Sequence, residues 1–433
     1  MNESIWTVTQ TLPSFPRLQT DLKTDVLVIG GGIAGLLCAY LLQHAGADYA
    51  LVEANRIGSG VSRNTTAKIT SQHGLVYHKL LRQFGREAAQ LYYRANEDAL
   101  AQYRALSRSL DFDFTEEDNF VYSIDDRRKL EKELDALRKI GVSAGFSQNL
   151  PLPFPAAGAV QFPHQAQMHP LKFLSGIAQN LNIYEHTRVL EFLPGYVRTS
   201  GGSIRAKKII VATHFPFLNK HGSYFLKLYQ QRSYVLALEN APRIPGMYVD
   251  ERNAGLSFRR YGNALLLGGC GHRTGKQSGA WQMLSDFALH NYPDARITHR
   301  WAAQDCMSLD GMPYIGQYAK TMPALYVATG FNKWGMSSAM AAARLLTDLV
   351  LERDNPYAAL FSPSRTLLRP QLAVNAFESA LHLLMPTVPR CPHLGCALKW
   401  NRQEHSWDCP CHGSRFSEEG TVLNNPANGD LKR

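Results

Sequence analysis

The feature that most restricts the fold lies near the amino terminus. Asp25-Val26-Leu27-Val28-Ile29 is a short apolar run that stops on glycine, as a strand buried in a parallel sheet does. Gly30-Gly31-Gly32-Ile33-Ala34-Gly35 follows. Ile33 to Ala45 then reads as a helix, with Leu36, Leu37, Tyr40 and Leu41 on one face and Gly46 beyond its end. Tyr49 to Val52 is a second strand, closed by Glu53. Strand, G-x-G-x-x-G turn, helix and strand make a βαβ unit of the dinucleotide-binding kind. Gly30 permits the tight turn, Gly32 lets a pyrophosphate approach the backbone, and Gly35 allows helix and strand to pack closely. The helix start, at Ile33 and Ala34, offers N–H groups and a positive dipole end to phosphates. Glu53 suits ribose hydroxyls and would repel a 2′-phosphate. The unit by itself does not decide between FAD and NAD.

The 433-residue length implies two or three domains, and 45% hydrophobic against 19% charged residues is the balance of a globular enzyme. The formal charge of +10 is not gathered into any Lys/Arg-rich segment, so nucleic-acid binding is not expected. A basic surface suits an acidic redox partner or an anionic substrate. Val26 to Leu42 is the most apolar stretch, but Gly30, Gly31, Gly32 and Gly35 interrupt it, so no membrane span is expected. Residues 1–24 lack an apolar signal core, and the cytoplasm is the expected location.

Further elements follow from periodicity. Asp126 to Ile140 reads as a charged amphipathic helix stopped by Gly141. Lys208 to Thr213 and Leu325 to Ala328 read as buried strands, the second running into a helix at Ser337 to Leu351. Leu256 to Arg260 and Ala264 to Leu267 suggest a hairpin through Gly262-Asn263. Phe377, Leu381 and Leu384 mark a short connector helix expected to pack on the main body, with a partner-binding helix as the second reading.

From about residue 20 to 350 the chain resembles the FAD-dependent D-amino-acid oxidase superfamily. Three segments carry the resemblance: Ile57-Gly58-Ser59-Gly60-Val61-Ser62-Arg63-Asn64, which resembles the stretch that crosses the flavin; Ile210-Val211-Ala212-Thr213, a second nucleotide motif; and Thr329-Gly330-Phe331-Asn332-Lys333-Trp334-Gly335-Met336, the flavin-contact loop at a helix start. The chain departs from the family at Thr65-Thr66-Ala67-Lys68 and at Phe331-Asn332-Lys333-Trp334, where the family often has glycine-rich loops. The resemblance implies α/β architecture: a Rossmann-like FAD-binding domain (22–84, 155–218 and 305–352) interleaved with an antiparallel-sheet α+β substrate domain (85–154 and 219–304). It further implies FAD contacts at Arg63, Thr65, Thr66, Lys68, Val189, Cys306, Gly330, Lys333, Gly335 and Met336. Arg259, if it faces the cavity, could hold a substrate carboxylate; Lys333 could stabilise reduced flavin; Tyr234 could line the pocket. Asp305-Cys306-Met307 resembles the segment whose cysteine carries a covalent flavin in the sarcosine-oxidase branch, although a small space-filling residue is the preferred reading.

The carboxyl terminus has different chemistry. Four of the seven cysteines fall there, in Cys391-Pro392-His393-Leu394-Gly395-Cys396 and Cys409-Pro410-Cys411-His412-Gly413-Ser414. Two thiolates and two imidazoles suit tetrahedral zinc, or a Rieske [2Fe–2S] cluster with Cys₂ on one iron and His₂ on the other. Zinc leaves Cys396 and Cys411 without use. The segment from about Cys391 resembles a Rieske module of the cytochrome-bc type. That resemblance implies Cys391, His393, Cys409 and His412 as cluster ligands and a Cys396–Cys411 disulfide. It also implies a Ser414 hydroxyl on a cluster sulfide and a covering loop at Asn425-Pro426-Ala427. The module (390–433) follows a connector (353–389) and lacks room for the family's preceding strands, so the flavin domain is the expected wall for its apolar surface.

Together the resemblances imply an enzyme oxidising an amine or amino-acid-like small molecule by hydride transfer to FAD. Electrons then pass singly through the cluster to an acceptor, which makes a dehydrogenase preferred over an oxidase. Two alternatives stand beside it. One is an electron-transfer flavoprotein fed through the cluster by a donor protein; the other is a redox-sensing binding protein with a structural cluster.

Overall fold

A computed structural model of the chain describes residues 3–193, 195–218, 222–276, 279–386 and 389–431. Strand Leu22–Ile29 pairs in parallel with Tyr49–Val52 on one side and Ser203–Val211 on the other. Leu325–Thr329 extends this sheet in parallel, and Tyr314–Gln317 closes its edge antiparallel. Helix Ile33–His44 covers the sheet and packs against helix Gly335–Val350. Both helices begin at a strand's carboxyl end, so their amino termini point into the same crevice, where open α/β sheets bind ligands.

A nine-stranded, mainly antiparallel sheet stands beside this unit. Its order runs from Arg296–Ser308 through Leu228–Glu239, Ala264–Arg273, Ser257–Tyr261 and Met247–Asp250 to Thr115–Ser123, Gly158–Gln167 and Lys68–Ile69. Strand Lys68–Ile69 belongs by sequence to segment 22–84 and strand Gly158–Gln167 to segment 155–218, yet both hydrogen-bond in this second sheet. The expected helix forms over Arg127–Lys139, with Asp126 accepting the Lys129 N–H at 3.1 Å as its cap.

The carboxyl-terminal module is a four-stranded antiparallel sheet: Lys399–Asn401, Ser406–Asp408, Arg415–Ser417 and Val422–Asn424. Helix Pro370–Leu384 leads into it. The expectation that Phe377, Leu381 and Leu384 pack this helix inward is corrected here: all three are exposed, and the buried positions are Asn375 and His382. Asn375 Oδ1 accepts from Arg273, and the His382 carbonyl accepts from Ala397 N at 2.9 Å. The inward face is held by hydrogen bonds, not by the apolar stripe.

Candidate active site and cluster-binding module

A cleft of about 770 Å³ opens where the two large sheets meet. Gly30, Gly32, Ile33, Ala34, Glu53, Thr65, Thr66, Lys68, Val189, Cys306, Gly330, Lys333, Gly335 and Met336, positions expected to contact a dinucleotide, all line it. Gly35 lies behind the wall, where a Cβ would stand 1.8 Å from the Gly30 carbonyl oxygen. Gly30 itself takes φ +108°, and its Cβ would meet Ala212 O at 2.7 Å. Gly32 differs from both. A Cβ there would touch only Ser62 Oγ, at 3.4 Å, so the protein alone leaves room for it. The requirement for glycine at position 32 comes from whatever occupies the cleft, and a pyrophosphate fits that requirement.

Glu53 accepts the Gly31 N–H at 2.6 Å and the Asn55 N–H at 2.8 Å while still facing the cleft. Burial raises its carboxyl above the usual range. Burial, reinforced by Arg259, lowers the Lys68 amine to about 7, and its one modest partner is the Thr66 hydroxyl at 3.3 Å. Lys333 follows Asn332 in left-handed backbone, at φ +73° and +52° respectively, which fixes the loop that starts helix Gly335–Val350. Burial lowers the Lys333 amine and raises the Asp305 carboxyl to about 6, each partly offset by the other's charge. His73 stacks on Trp334 at 5.0 Å and bonds Tyr92 and Ser337, and burial holds it neutral with its pKa lowered to about 3. Cys306 is buried, its sulfur 3.6 Å from the Thr329 hydroxyl. Burial pushes its thiol up to about 12, far from the thiolate a covalent flavin link requires.

Two expected site residues, Arg259 and Arg63, are placed elsewhere. Arg259 is fully buried away from the cleft, under the ring of Trp6; its guanidinium donates to the carbonyls of Thr66, Ala67 and Met168. It braces the Thr65–Lys68 turn and cannot reach a substrate carboxylate. Arg63 is exposed and outside the cleft wall; the neighbouring Ser62 is the inward residue, with its hydroxyl accepting from Ile33 N at 3.0 Å. Tyr234 touches the cleft, but its hydroxyl donates to Glu404 of the carboxyl-terminal module at 2.8 Å. Asp305 and His214 are cleft residues that sequence reasoning missed. Asp305 shares a strand with Cys306, and alternation from Ala303, also in the cleft wall, was the available signal.

The two cysteine–histidine boxes fold into matching loops. Gly395 N bonds Cys391 O at 2.8 Å and Gly413 N bonds Cys409 O at 2.9 Å, with both glycines at positive φ. The loops bring the rings of His393 and His412 to 5.0 Å, nearly perpendicular. Cys391, Cys396, Cys409 and Cys411 are all buried together with Phe416. The sulfurs of Cys396, Cys409 and Cys411 lie within 4.8 Å of one another, and all seven cysteines are free thiols in the structure. Burial lowers His393 to about 4 and His412 to about 3, keeping both imidazoles in the neutral, ligating form. Neither ring nitrogen of His412 has a hydrogen-bond partner of good geometry although both are buried. A buried imidazole left this way can serve as a metal ligand, although His382 has the same lack of hydrogen-bond partners without belonging to the ligand boxes. The Ser414 hydroxyl bonds the Cys391 thiol and accepts from Ala427 N at 3.0 Å.

The histidine edge faces the flavoprotein. Phe215 lies 6.2 Å from the His393 ring and 6.3 Å from that of His412. Its neighbours Thr213 and His214 line the cleft. Asn425 donates to the carbonyls of Thr213 and Phe215, and Asn425-Pro426-Ala427 forms part of the cleft wall. Gln230 donates to the carbonyls of His412 and Asn425, both at 2.8 Å. A Cβ on Gly413 would come within 2.6 Å of the Gln230 side chain, so glycine is needed for docking as well as for φ. Arg232 and Arg415 converge on Glu404, with Tyr234, in a buried ionic lock between module and sheet.

Residues 25–349 match the family described as FAD dependent oxidoreductase (DAO). This chain belongs to that DAO family. Residues 377–433 match the Rieske [2Fe-2S] domain, a match that begins inside the connector helix, upstream of Cys391. The putative Rieske 2Fe-2S iron-sulfur protein YhfW of Bacillus subtilis (strain 168) is 34% identical over 497 residues, covering 100% of this chain and 97% of the relative. Gamma-glutamylputrescine oxidoreductase of Escherichia coli (strain K12) is 24% identical over 403 residues, covering 84% of this chain and 93% of the relative. The crystal structure of glycine oxidase from Geobacillus kaustophilus superposes with a TM-score of 0.66 at 19% identity, over 80% of this chain and 99% of that one. This DAO-family protein is an FAD-dependent oxidoreductase whose cofactors are FAD and a Rieske [2Fe–2S] cluster. Among the described residues no helix is long and apolar enough to cross a membrane.

Proposed function

We propose that the enzyme oxidises an amine or amino-acid-like substrate and sends the electrons one at a time, through Cys391, His393, Cys409 and His412, to an acceptor outside the cleft. FAD supplies the two-electron acceptor for a C–H bond next to nitrogen, and the cluster takes one electron at a time. The observation that carries the reading is the shared wall: Asn425-Pro426-Ala427 lines the cleft on one side and hydrogen-bonds the cluster loop through Ser414 on the other. A cluster serving only as a staple would have no need for its histidine edge to face Phe215, which lies directly behind the cleft residues Thr213 and His214. The named activity of the Escherichia coli relative supports the substrate class.

In this reading Lys333, whose amine donates to the Asn253 carbonyl at 3.2 Å, would set a positive charge against the electron-rich reduced cofactor, with the nearby Asp305 charge favouring the protonated amine. Lys68, which has no acidic partner among the described residues, is the group available for an anionic part of substrate or cofactor. Cys396 and Cys411, free thiols in the structure, would brace the two loops on forming the disulfide that the resemblance implies. The cytoplasm is the proposed location.

Anaerobic addition of an amine and amino-acid panel, read at flavin and cluster wavelengths, tests the proposal. One substrate is expected to bleach the flavin, with cluster reduction following. Flavin bleaching with an unchanging cluster would remove the relay. Flavin that responds only to reduction of the cluster would reverse the direction.

A further inference from the structure

The connector helix presents its apolar side to solvent. Val374, Phe377, Leu381 and Leu384 recur at helical spacing with 48%, 66%, 39% and 83% of their surface exposed. Every exposed residue from Pro370 to Leu384 is proline, alanine, valine, leucine or phenylalanine. The one acid in the helix, Glu378, is turned inward and paired with Lys276 at 2.6 Å. Over residues 355–403 Glu378 is the single acidic residue; Arg365 is paired with buried Asp310 and Arg369 lies over Phe84, which leaves Arg390, Lys399 and Arg402 as the exposed cations. Arg369 and Arg390 bracket the stripe; Arg390 is exposed and caps the carbonyls of Leu383 and Met385.

We propose that helix Pro370–Leu384 is a membrane-surface element that lies in the headgroup layer of an anionic bilayer. An in-plane helix needs an apolar face with basic residues around it, and both are present here. Size argues against a second copy of the chain as the occupant. Fifteen residues make a helix about 22 Å long, and at a width of about 10 Å the stripe offers roughly 200 Å². A stable dimer buries about 800 Å² per partner. The opposite face of the helix holds the cluster module: the Cys411 thiol lies 3.9 Å from the Glu378 carbonyl. Leu394, in the first ligand loop, is exposed beside Leu383 through Gly395. The lipid surface and the cluster are therefore separated by about one helix diameter, so electrons leaving the cluster would do so at the bilayer.

The test is co-sedimentation of the holoprotein with vesicles of phosphatidylcholine containing about 30% phosphatidylglycerol, against phosphatidylcholine alone. The anionic vesicles are expected to bind it at least about tenfold more strongly, and Phe377→Glu with Leu384→Glu to lose at least about tenfold of that binding. Leu289→Glu, an exposed apolar site on a different helix, is expected to bind as wild type. Both variants should keep their flavin and cluster absorbance, because every substituted side chain points into solvent. Equal binding by the double variant and wild type, or no binding of wild type to either vesicle, overturns the proposal. So does a dimer in sedimentation equilibrium that the same double substitution abolishes, which would assign the face to a second copy.

Discussion

Replacing Glu404 by glutamine is expected to release the cluster module from the flavoprotein without unfolding either. The carboxylate is only 10% exposed and lies between Arg232 and Arg415, themselves 8% and 6% exposed, with the Tyr234 hydroxyl as a third partner. Although burial raises its pKa, the two guanidiniums prevail and carry it from 4.5 down to about 2. At about 1.4 kcal/mol for each factor of ten in acidity, that fall corresponds to about 3 kcal/mol of preference for the charged form, of which the Arg232 and Tyr234 share crosses the interface and the Arg415 share stays within the module. Removing one partner from a buried pair typically costs 3–5 kcal/mol, which agrees. Because the docked pKa lies below the undocked one, the contribution is complete above about pH 4.5 and disappears as pH falls toward 2. Thermal melts read separately at flavin and cluster wavelengths are the assay. Wild type should lose both signals together at neutral pH, and the variant should lose the cluster first. Acid near pH 2, not mild acid, should separate the two signals in wild type too. Coincident transitions at the wild-type temperature in the variant would refute the ionic lock.

Phe416 is fully buried among the four module cysteines and carries no donor, so Phe416→Tyr should add a hydrogen bond to a ligand sulfur. The midpoint potential is expected to rise by some tens of millivolts, 59 mV being about 1.4 kcal/mol for one electron; no change or a fall would mean that the side chain does not point at a ligand sulfur. Acid precipitation should leave FAD in a yellow supernatant, since Cys306 is a buried thiol bonded to Thr329. A yellow pellet that turns colourless in Cys306→Ala would establish the covalent link instead.

The parts legible in the sequence are those set by local chemistry. Gly30 and Gly35 were readable because backbone packs against backbone there, and the ligand boxes because cysteine–histidine spacing serves few purposes. Arg259 was misread because its strand is buried on both faces: Phe258 and Arg259 are adjacent and both wholly enclosed, so alternation of two carries no information about facing. The connector helix was misread for a related reason. Periodicity locates an apolar stripe, but it does not say whether protein or solvent lies against it. Glu404 with Arg232 and Tyr234 left no local trace, since the partners are some 170 residues apart and meet only when the module docks.

The inward histidine edge has a consequence for how the protein is made. His412 is enclosed by Phe215, Phe225 and Gln230 and all four module cysteines are buried, whereas His393 is only half-buried, so the seated module covers most of the ligand set and leaves one edge near solvent. Delivery of iron and sulfide to the covered ligands is therefore expected to precede docking, with closure of the Glu404 lock coming afterwards.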